Sequence, residues 1–320
     1  MTNANPSTGA APVLHVVLGA GPIGTLLADK LLARGHRVRQ VRRGPPGAAR
    51  PGLEWRSGDL ADPAFAASAL EGAAAAYQCV NVAYDQWTAL LPPLVRGVNA
   101  GAARAGVKLV VLDNLYMYGR PEGVITEESP VAPRSRKGEL RARLAAETLA
   151  LAQRGDLRVA IGRASDFYGP GVLLAAIFGE RFFQRVAKGQ SGESLGDPDQ
   201  PHSYSYAPDV AEGLLALADP RADGQVWHLP VSPPETTRAW IGRFAEAYGK
   251  QITVGAIPDF VLKAMGLFVP VMREVAEMTY QWRGPFVLGD AKVRAAFGLS
   301  HTPPEEGVAR TVEWARARFS

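Results

Sequence analysis

Glycines at positions 19, 21 and 24 have the spacing of a loop that holds a diphosphate. In such a loop the first glycine permits a tight turn, the second lets the backbone approach the phosphates, and the third lets a helix pack on a strand. N–H groups at the start of that helix attract the phosphate charge. The loop follows an apolar run and opens an amphipathic one, and this context favours a dinucleotide site over incidental glycines. The residues of the loop are Gly19, Ala20, Gly21, Pro22, Ile23 and Gly24.

The end of the second predicted strand indicates which dinucleotide is preferred. Sites for NAD place a carboxylate there to bond the ribose 2′-hydroxyl, whereas this chain has Arg42 and Arg43. Because a guanidinium pairs well with a 2′-phosphate, we predict that NADP(H) is favoured over NAD(H). The alternative is that both arginines merely face solvent.

Four further residues are assigned to the cofactor. Asp59 and Leu60 follow Gly58 after the third strand, where an aspartate can bond the adenine amino group. A plain turn aspartate is the alternative interpretation. Asn81 and Ala83 stand at the end of the strand predicted over residues 74–82.

The elements that must position these residues alternate between short β-branched runs and longer helical patterns. This rhythm predicts an α/β fold with a doubly wound parallel sheet of the Rossmann type. After residues 169–171 the rhythm changes, and the chain from residue 230 onward is rich in Trp, Phe, Met and Pro, which indicates a smaller C-terminal substrate domain. Strands are predicted over residues 13–18, 37–41, 74–82, 107–112 and 158–161, and helices after the glycine loop, over 140–153 and over 209–217, the last with Asp209 near its cap.

These motifs resemble the extended and atypical short-chain dehydrogenase/reductases, in their epimerase/dehydratase branch. The resemblance implies a discontinuous Rossmann domain, residues 1–168 with 203–230, and a smaller substrate-binding domain, residues 169–202 with 231–320. Besides the glycine loop, it rests on segments that stand in the order typical of that family, namely residues 58–60, 118–119, 163 with 167–171, 206–211 and 305–314.

At the catalytic positions that the resemblance implies, the residue types depart from the family pattern. The family has a Ser or Thr after the fifth strand and a Tyr-x-x-x-Lys on the next helix, whereas this chain has Asn114, Lys137 and Arg141 at those positions. Arg141 could bond the nicotinamide ribose or a phosphate, but it cannot exchange a proton near neutral pH. Loss of a positioned acid or base lowers a rate roughly a hundred- to ten-thousandfold.

Three residues are candidates to manage the proton instead. Lys137 could do so if burial favoured its neutral form. Tyr116 could donate a proton, although a packed loop aromatic is the alternative, and Asp113 could be a base or a simple turn residue.

The candidates to contact the substrate are Asp166, His202, Arg273 and Tyr280. Asp166 follows a predicted strand, with a helix-cap role as the alternative, and His202 opens a return segment, with a loop hydrogen bond as the alternative. Arg273, Glu277 and Tyr280 share one face at helical spacing, and that face could line a pocket or belong to a surface helix.

Composition limits the classes of partner. The net charge is +4 and the basic residues are scattered, so we predict no nucleic-acid partner. The lone Cys79 and the absence of a Cys/His metal spacing predict no metal and a reducing cytoplasm. Residues 1–9 form a polar tail without a signal-peptide pattern, and the later apolar segment is too interrupted to cross a membrane.

A homodimer through the region of Leu94, Val95 and Val98 is allowed, since the resemblance implies that helices there pair subunits.

Three functional hypotheses remain open. The first is an NADP(H)-dependent oxidoreductase or epimerase that acts on a small hydroxyl- or carbonyl-bearing substrate. The second is a non-catalytic NADP(H)-binding sensor or scaffold, which the absent Tyr-x-x-x-Lys would explain. The third is a lyase or isomerase that keeps the dinucleotide as a tightly held internal cofactor.

Overall fold

The computed structural model describes residues 12–175 and 177–319, so the predicted tail over residues 1–9 lies outside the described residues. The strands are β1 (Leu14–Leu18), β2 (Arg37–Arg42), β3 (Leu53–Ser57), β4 (Ala75–Gln78), β5 (Lys108–Asp113), β6 (Val124–Ile125), β7 (Val159–Arg163), β8 (Asp166–Tyr168), β9 (Gly192–Ser194), β10 (Pro201–His202), β11 (Tyr204–Tyr206), β12 (Val226–His228), β13 (Glu235–Thr236), β14 (Val254–Ala256) and β15 (Val287–Leu288).

Helices separate most of these strands. They are α1 (Pro22–Ala33), α2 (Pro63–Leu70), α3 (Trp87–Ala105), α4 (Arg136–Gln153), α5 (Glu180–Ala187), α6 (Ala207–Ala216), α7 (Thr237–Ala247), α8 (Asp259–Phe268), α9 (Pro270–Met278), α10 (Ala291–Phe297) and α11 (Pro304–Phe319). Short 3-10 helices occur at Tyr84–Gln86, Tyr116–Tyr118, Pro220–Ala222 and Thr279–Trp282.

A seven-stranded sheet in the order β12-β7-β5-β4-β1-β2-β3 forms the centre of the molecule. All of its strand pairs are parallel. The strand order reverses between β1 and β4, and in doubly wound sheets ligands bind at the carboxyl ends of the strands at that point. The predicted α/β fold with a doubly wound parallel sheet is therefore confirmed.

Both faces of the sheet are covered, as the apolar sequences of its inner strands require. In β1, Val16 and Leu18 face a core formed with α2, α3 and α4, whereas Val17 faces a core formed with α1 and α6. A third core is rich in aromatic side chains and joins β8, β11, α5, α7 and α11.

The observed elements bear on three sequence-based expectations. β4 ends at Gln78, so Asn81 and Ala83 lie in the loop that follows it and not in the strand. Asp209 lies near the cap of α6, as predicted, in the first turn of the helix, where its carboxylate accepts hydrogen bonds from the Thr302 amide at 2.6 Å and hydroxyl at 2.7 Å. Leu94, Val95 and Val98 are 5%, 6% and 0% exposed because they pack beneath the chain's own sheet, and the homodimer stays a prediction.

Among the described residues, no helix is long and apolar enough to cross a membrane. The same residues contain no group of three or more His, Cys, Asp or Glu side chains placed to hold a metal ion.

Candidate active site

The glycine loop connects β1 to α1 at the point where the strand order reverses. Gly19 has a φ of +115°, and a Cβ there would lie 2.8 Å from the Val80 amide nitrogen. A Cβ on Gly24 would lie 2.4 Å from the Gly19 carbonyl oxygen, whereas one on Gly21 would meet nothing within 4 Å. The outer glycines therefore shape the loop, and the middle one leaves space in front of the start of α1. This is the shape that a diphosphate requires.

Gln40, for which no role was predicted from the sequence, supports this loop from β2. Gln40 is 2% exposed, and its side-chain amide donates to the Gly19 carbonyl at 3.1 Å. Gln40 lies two positions after the buried Val38, on the same side of the strand. A polar residue at an apolar position was the signal for this role.

One groove brings most of the predicted cofactor residues together. Arg42 and Arg43 lie exposed at the end of β2, and Asp59 forms a turn in which its Oδ1 accepts from the Ala61 amide at 3.0 Å. Ala83 lies farther along the chain, immediately before the first 3-10 helix. The groove is lined by Gly19, Ala20, Arg42, Arg43, Gly58, Asp59, Leu60, Val80, Asn81 and Leu94.

Asp113, at the carboxyl end of β5, is buried between two arginines. Its carboxylate lies 3.4 Å from Arg141 and 3.4 Å from Arg163. The Arg141 guanidinium lies 4.2 Å from the centre of the Trp87 ring. Burial lowers the pKa of Arg141, and the charge of Asp113 opposes that shift. Asp113 thus anchors Arg141 beneath the edge of the sheet where the candidate site lies.

The buried network continues away from Asp113 through Arg163, Tyr118 and His228, for which no role was predicted from the sequence. Arg163 donates to the Tyr118 hydroxyl at 2.7 Å, and that hydroxyl lies 2.8 Å from His228 Nε2. His228 Nδ1 lies 2.9 Å from the Gly289 carbonyl, so Nδ1 carries the proton and Nε2 accepts from Tyr118. Burial lowers the pKa of His228 to about 4, and the ring is neutral at neutral pH.

Asn114 and Tyr116 form the turn after β5. The Asn114 side chain accepts from the Tyr116 amide at 3.2 Å, which orients the loop. Tyr116 stacks on Trp87 with ring centres 5.9 Å apart, and its hydroxyl lies 3.5 Å from that of Tyr84. Burial raises the pKa of Tyr116 to about 12, so the phenol keeps its proton at neutral pH.

Lys137 lies one turn before Arg141 on α4 and is paired with a residue of the C-terminal segment. Its ammonium forms an ion pair with Glu274, and the two side chains are 5% and 13% exposed. The same ammonium lies 4.4 Å from the centre of the Tyr84 ring. Glu274 was missed from sequence because its partner lies far away in the chain.

Tyr84, Tyr116 and Lys137 form a cluster at this end of the sheet. Three of the four predicted substrate residues, Asp166, His202 and Tyr280, lie close to it. His202 Nε2 lies 2.7 Å from Asp166, and its ring stacks on Trp282 with centres 5.0 Å apart. Burial raises the pKa of Tyr280, and the nearby charge of Asp166 adds to the effect. The fourth, Arg273, is largely outside it: its side chain is 67% exposed, and its guanidinium lies 3.8 Å from the Glu274 carboxylate.

The arrangement offers two kinds of chemistry. The groove beside the glycine loop can hold a dinucleotide through N–H groups and guanidinium groups. At the carboxyl end of β5, Lys137, Tyr116 and Tyr280 can donate protons or hydrogen bonds, and Asp166 can accept them.

Comparisons with known proteins agree with this geometry. A family model described as the NAD dependent epimerase/dehydratase family matches residues 15–229. Among curated proteins, none matches the sequence significantly.

Several solved structures share the fold. DesIV, a dTDP-glucose 4,6-dehydratase from Streptomyces venezuelae with NAD bound, is 21% identical with a TM-score of 0.77, covering 96% of this chain and 98% of that one. WbmH from Bordetella bronchiseptica in complex with NAD+ is 17% identical with a TM-score of 0.76, covering 97% and 100%. A UDP-glucuronic acid 4-epimerase from Bacillus cereus in complex with NAD is 14% identical with a TM-score of 0.78, covering 96% and 100%.

Proposed function

Because the chain belongs to the NAD-dependent epimerase/dehydratase family, we propose that it is an oxidoreductase or epimerase of the atypical short-chain type that prefers NADP(H). The observation that carries the proposal is the groove in which the glycine loop, Asp59 and the two arginines meet. A small hydroxyl- or carbonyl-bearing molecule is the proposed substrate. A cytoplasmic location is part of the same proposal.

The residues present fit a nicotinamide dinucleotide. Gly21 leaves space before the amides that open α1, and Gln40 fixes the loop in this shape. When bound, the dinucleotide would supply or accept a hydride. Asp59 and Asn81 line the groove on the side where the adenosine would lie.

Two exposed arginines at the end of β2 support the preference for NADP(H). Arg42 and Arg43 both line the groove, and neither position carries the carboxylate that would bond a ribose 2′-hydroxyl. A charge-assisted hydrogen bond to phosphate contributes about 1.5–3 kcal/mol. That range corresponds to roughly a 10- to 100-fold difference in affinity.

Fluorescence titration of the purified protein with NADPH and, separately, with NADH tests the cofactor. We expect NADPH to bind more tightly, and the paired change Arg42→Ala with Arg43→Ala to weaken NADPH by roughly 10- to 100-fold with little effect on NADH. Arg37→Ala is the matched control, because Arg37 is an exposed arginine at the opposite end of the same strand. Equal binding of both dinucleotides, unchanged by the paired substitution, would contradict the preference for NADP(H).

The wider proposal has its own test. If neither dinucleotide binds and none is released when the protein is denatured, the interpretation of the glycine loop is wrong. Because similar structures carry the names of sugar-nucleotide enzymes, dTDP-glucose and UDP-glucuronic acid are the first substrates to assay with NADP+.

The proposed catalytic site lacks the Tyr-x-x-x-Lys of the family. Lys137 and Arg141 hold the corresponding positions on α4. Arg141 is paired with Asp113 at the carboxyl end of β5, and Lys137 is paired with Glu274 on α9. Arg141, fixed by Asp113 and Trp87, would bind and orient rather than transfer a proton. Lys137 or Tyr116 would then manage the proton.

A non-catalytic NADP(H)-binding sensor is the second candidate, and one observation favours it. Lys137 and Arg141 are each already paired with a buried carboxylate, as in a purely structural network. The two candidates differ in the fate of the cofactor. A sensor binds NADPH but leaves it unreacted in the presence of every substrate, whereas an enzyme oxidises NADPH in the presence of at least one substrate.

A further inference from the structure

Exposed hydrophobic side chains are concentrated on α8 and the turn that follows it. They are 42% to 85% exposed, and they are Phe260, Leu267, Phe268 and Val269. Phe260, Leu267 and Phe268 stand at helical positions i, i+7 and i+8, with the exposed Ala264 at i+4, so they share one face. On the other side of α8, Leu262 is buried in the aromatic core. The described side chains on the outward face of α8 are thus apolar, whereas a helix that faces water carries polar residues there.

The two helices form a tight hairpin, and the most exposed of these side chains lie at its tip. α8 ends at Phe268 and α9 begins at Pro270, so Val269 alone joins them. A Cβ on Gly266 would lie 2.9 Å from the Arg273 Cα, which shows that the helices touch close to the turn. We call residues 267–269 the hairpin tip. Three consecutive apolar side chains are therefore presented to solvent where the chain reverses direction.

The charges that accompany the hairpin tip are positive. Between residues 260 and 273 the sequence has two charged residues, Lys263 and Arg273, and both are basic. Arg273 is 67% exposed and lies 3.8 Å from Glu274, but Glu274 also pairs with Lys137, so this group of three charges stays net positive. Glu277, further along α9, bonds a main-chain amide of α4 at 2.5 Å. An apolar surface with basic residues beside it complements a membrane surface that contains anionic lipids.

The dimensions of the hairpin favour a lipid surface over a second protein chain. A standard protein interface has about 20–30 residues on each side, whereas this apolar surface is confined to one turn and a helix of 10 residues. Insertion at the headgroup boundary needs apolar area and positive charge but no complementary shape. α8 and α9 have 10 and 9 residues, and a membrane span needs about 20, so the hairpin suits lying on a bilayer and not crossing it.

We propose that the α8–α9 hairpin docks the protein on an anionic lipid surface by inserting Leu267, Phe268 and Val269 among the headgroups. Phe260 extends this contact along α8, and Arg273 lies at the level of the lipid phosphates. The proposal goes beyond the proposed function and does not rest on it. It agrees with the proposed cytoplasmic location, because the cytoplasmic leaflet of a membrane carries anionic lipids.

Flotation of the full chain with lipid vesicles tests the proposal. Vesicles of phosphatidylcholine alone are compared with vesicles that contain about one-third phosphatidylglycerol, an anionic lipid. We expect the unaltered protein to float with the anionic vesicles and to bind them roughly tenfold or more tightly than the neutral ones.

Substitutions at the hairpin identify the surface that binds. Leu267→Ser combined with Phe268→Ser should weaken binding to anionic vesicles roughly 30-fold or more, because two apolar side chains leave the contact. Phe268→Trp should retain the binding, since it keeps an apolar ring. Arg273→Gln should weaken binding to anionic vesicles roughly fivefold and leave binding to neutral vesicles in place. Val131→Ser is the matched control, because Val131 is 57% exposed and lies outside the hairpin.

Several results would overturn the proposal. Absence of the unaltered protein from both kinds of vesicle excludes a lipid surface, and equal binding to both excludes recognition of anionic lipid. Full binding by the double serine variant shows that another surface is responsible, provided that its thermal unfolding matches that of the unaltered protein. Sedimentation velocity without lipid examines the alternative occupant. A dimer that the double serine variant dissociates would assign the hairpin tip to an interface between two copies of the chain.

Discussion

Two glycines of the phosphate loop are expected to fail differently when replaced by alanine. At Gly24 the new Cβ would lie 2.4 Å from the Gly19 carbonyl oxygen, so Gly24→Ala should destabilise the protein itself. At Gly21 φ is −78° and nothing lies within 4 Å, so Gly21→Ala should change the free energy of unfolding by less than about 0.5 kcal/mol. It should nevertheless weaken NADPH binding tenfold or more, because the methyl group enters the space needed by the diphosphate. Urea unfolding and fluorescence titration measure the two effects, and tight binding by Gly21→Ala would contradict this assignment.

A buried histidine gives the protein a predictable sensitivity to acid. Burial lowers the pKa of His228 to about 4, from an ordinary value of 6.5. Between these values the unfolded chain binds a proton that the folded chain excludes, so stability present in full above about pH 6.5 is lost as the pH falls toward 4. Burial lowers the pKa of His15 to about 4 as well, which adds a loss of the same sign.

Replacing His228 should therefore flatten the pH dependence. We expect the loss of unfolding free energy between about pH 7 and pH 4.5 to be about 2–3 kcal/mol smaller in His228→Gln than in the unaltered protein. Urea unfolding at a series of pH values measures it. Parallel curves for the two proteins would show that this imidazole does not control the acid sensitivity.

At the residue scale, sequence patterns identify local chemistry but not distant partners. The glycine loop was predicted because its spacing and its flanking strand and helix are adjacent in sequence. Glu274 was missed, since nothing in its local sequence shows that α9 packs on the start of α4. Gln40 was missed for a related reason, because its bond to Gly19 crosses between neighbouring strands.

At the scale of single elements, the start of α4 matters because this helix carries both Lys137 and Arg141. The helix begins after Ser135, whose hydroxyl accepts from the Gly138 amide at 3.0 Å. This start lies before residue 140, where helical periodicity first becomes evident in the sequence. The polar residues of the first turn hid it, although the Ser135 cap was a usable signal.

Removing that cap should cost stability in a known range. We expect Ser135→Ala to lower the free energy of unfolding by about 1 kcal/mol, because one helix-start N–H group loses its partner. Thr236→Ala is the matched control, since Thr236 caps α7 in the same way through the Ala239 amide. Urea unfolding of both variants measures the effect. No loss of stability in Ser135→Ala would mean that the hydrogen bond from the Arg136 amide to the Glu277 carboxylate is enough to hold the start of α4.

At the scale of the whole molecule, the packing of α3 determines which residues remain for contacts with other chains. Leu94 is 5% exposed and belongs to the core beneath the sheet, whereas Leu90 on the same helix is 36% exposed. The sequence alone showed that this segment is apolar but could not show which side faces the sheet.

The burial of Leu94 yields a test that also addresses association. We expect Leu94→Ala to lower the free energy of unfolding by about 2–5 kcal/mol at any protein concentration, because it leaves a cavity within one chain. Leu90→Ala, the control, should change it by less than about 1 kcal/mol. A loss in Leu94→Ala that grows as the protein is diluted would instead place this residue in an interface between chains.

The sheet order has a consequence for synthesis on the ribosome. β12, at residues 226–228, completes the sheet beside β7, and α6, at residues 207–216, covers α1. A growing chain that has emerged only as far as residue 168 therefore lacks both the last strand and the cover of its first helix. Its phosphate loop would already be outside the ribosome, but the apolar side of α1 would be open to water and to chaperones. Translation pauses before residue 228 should thus prolong the period in which this apolar surface is exposed.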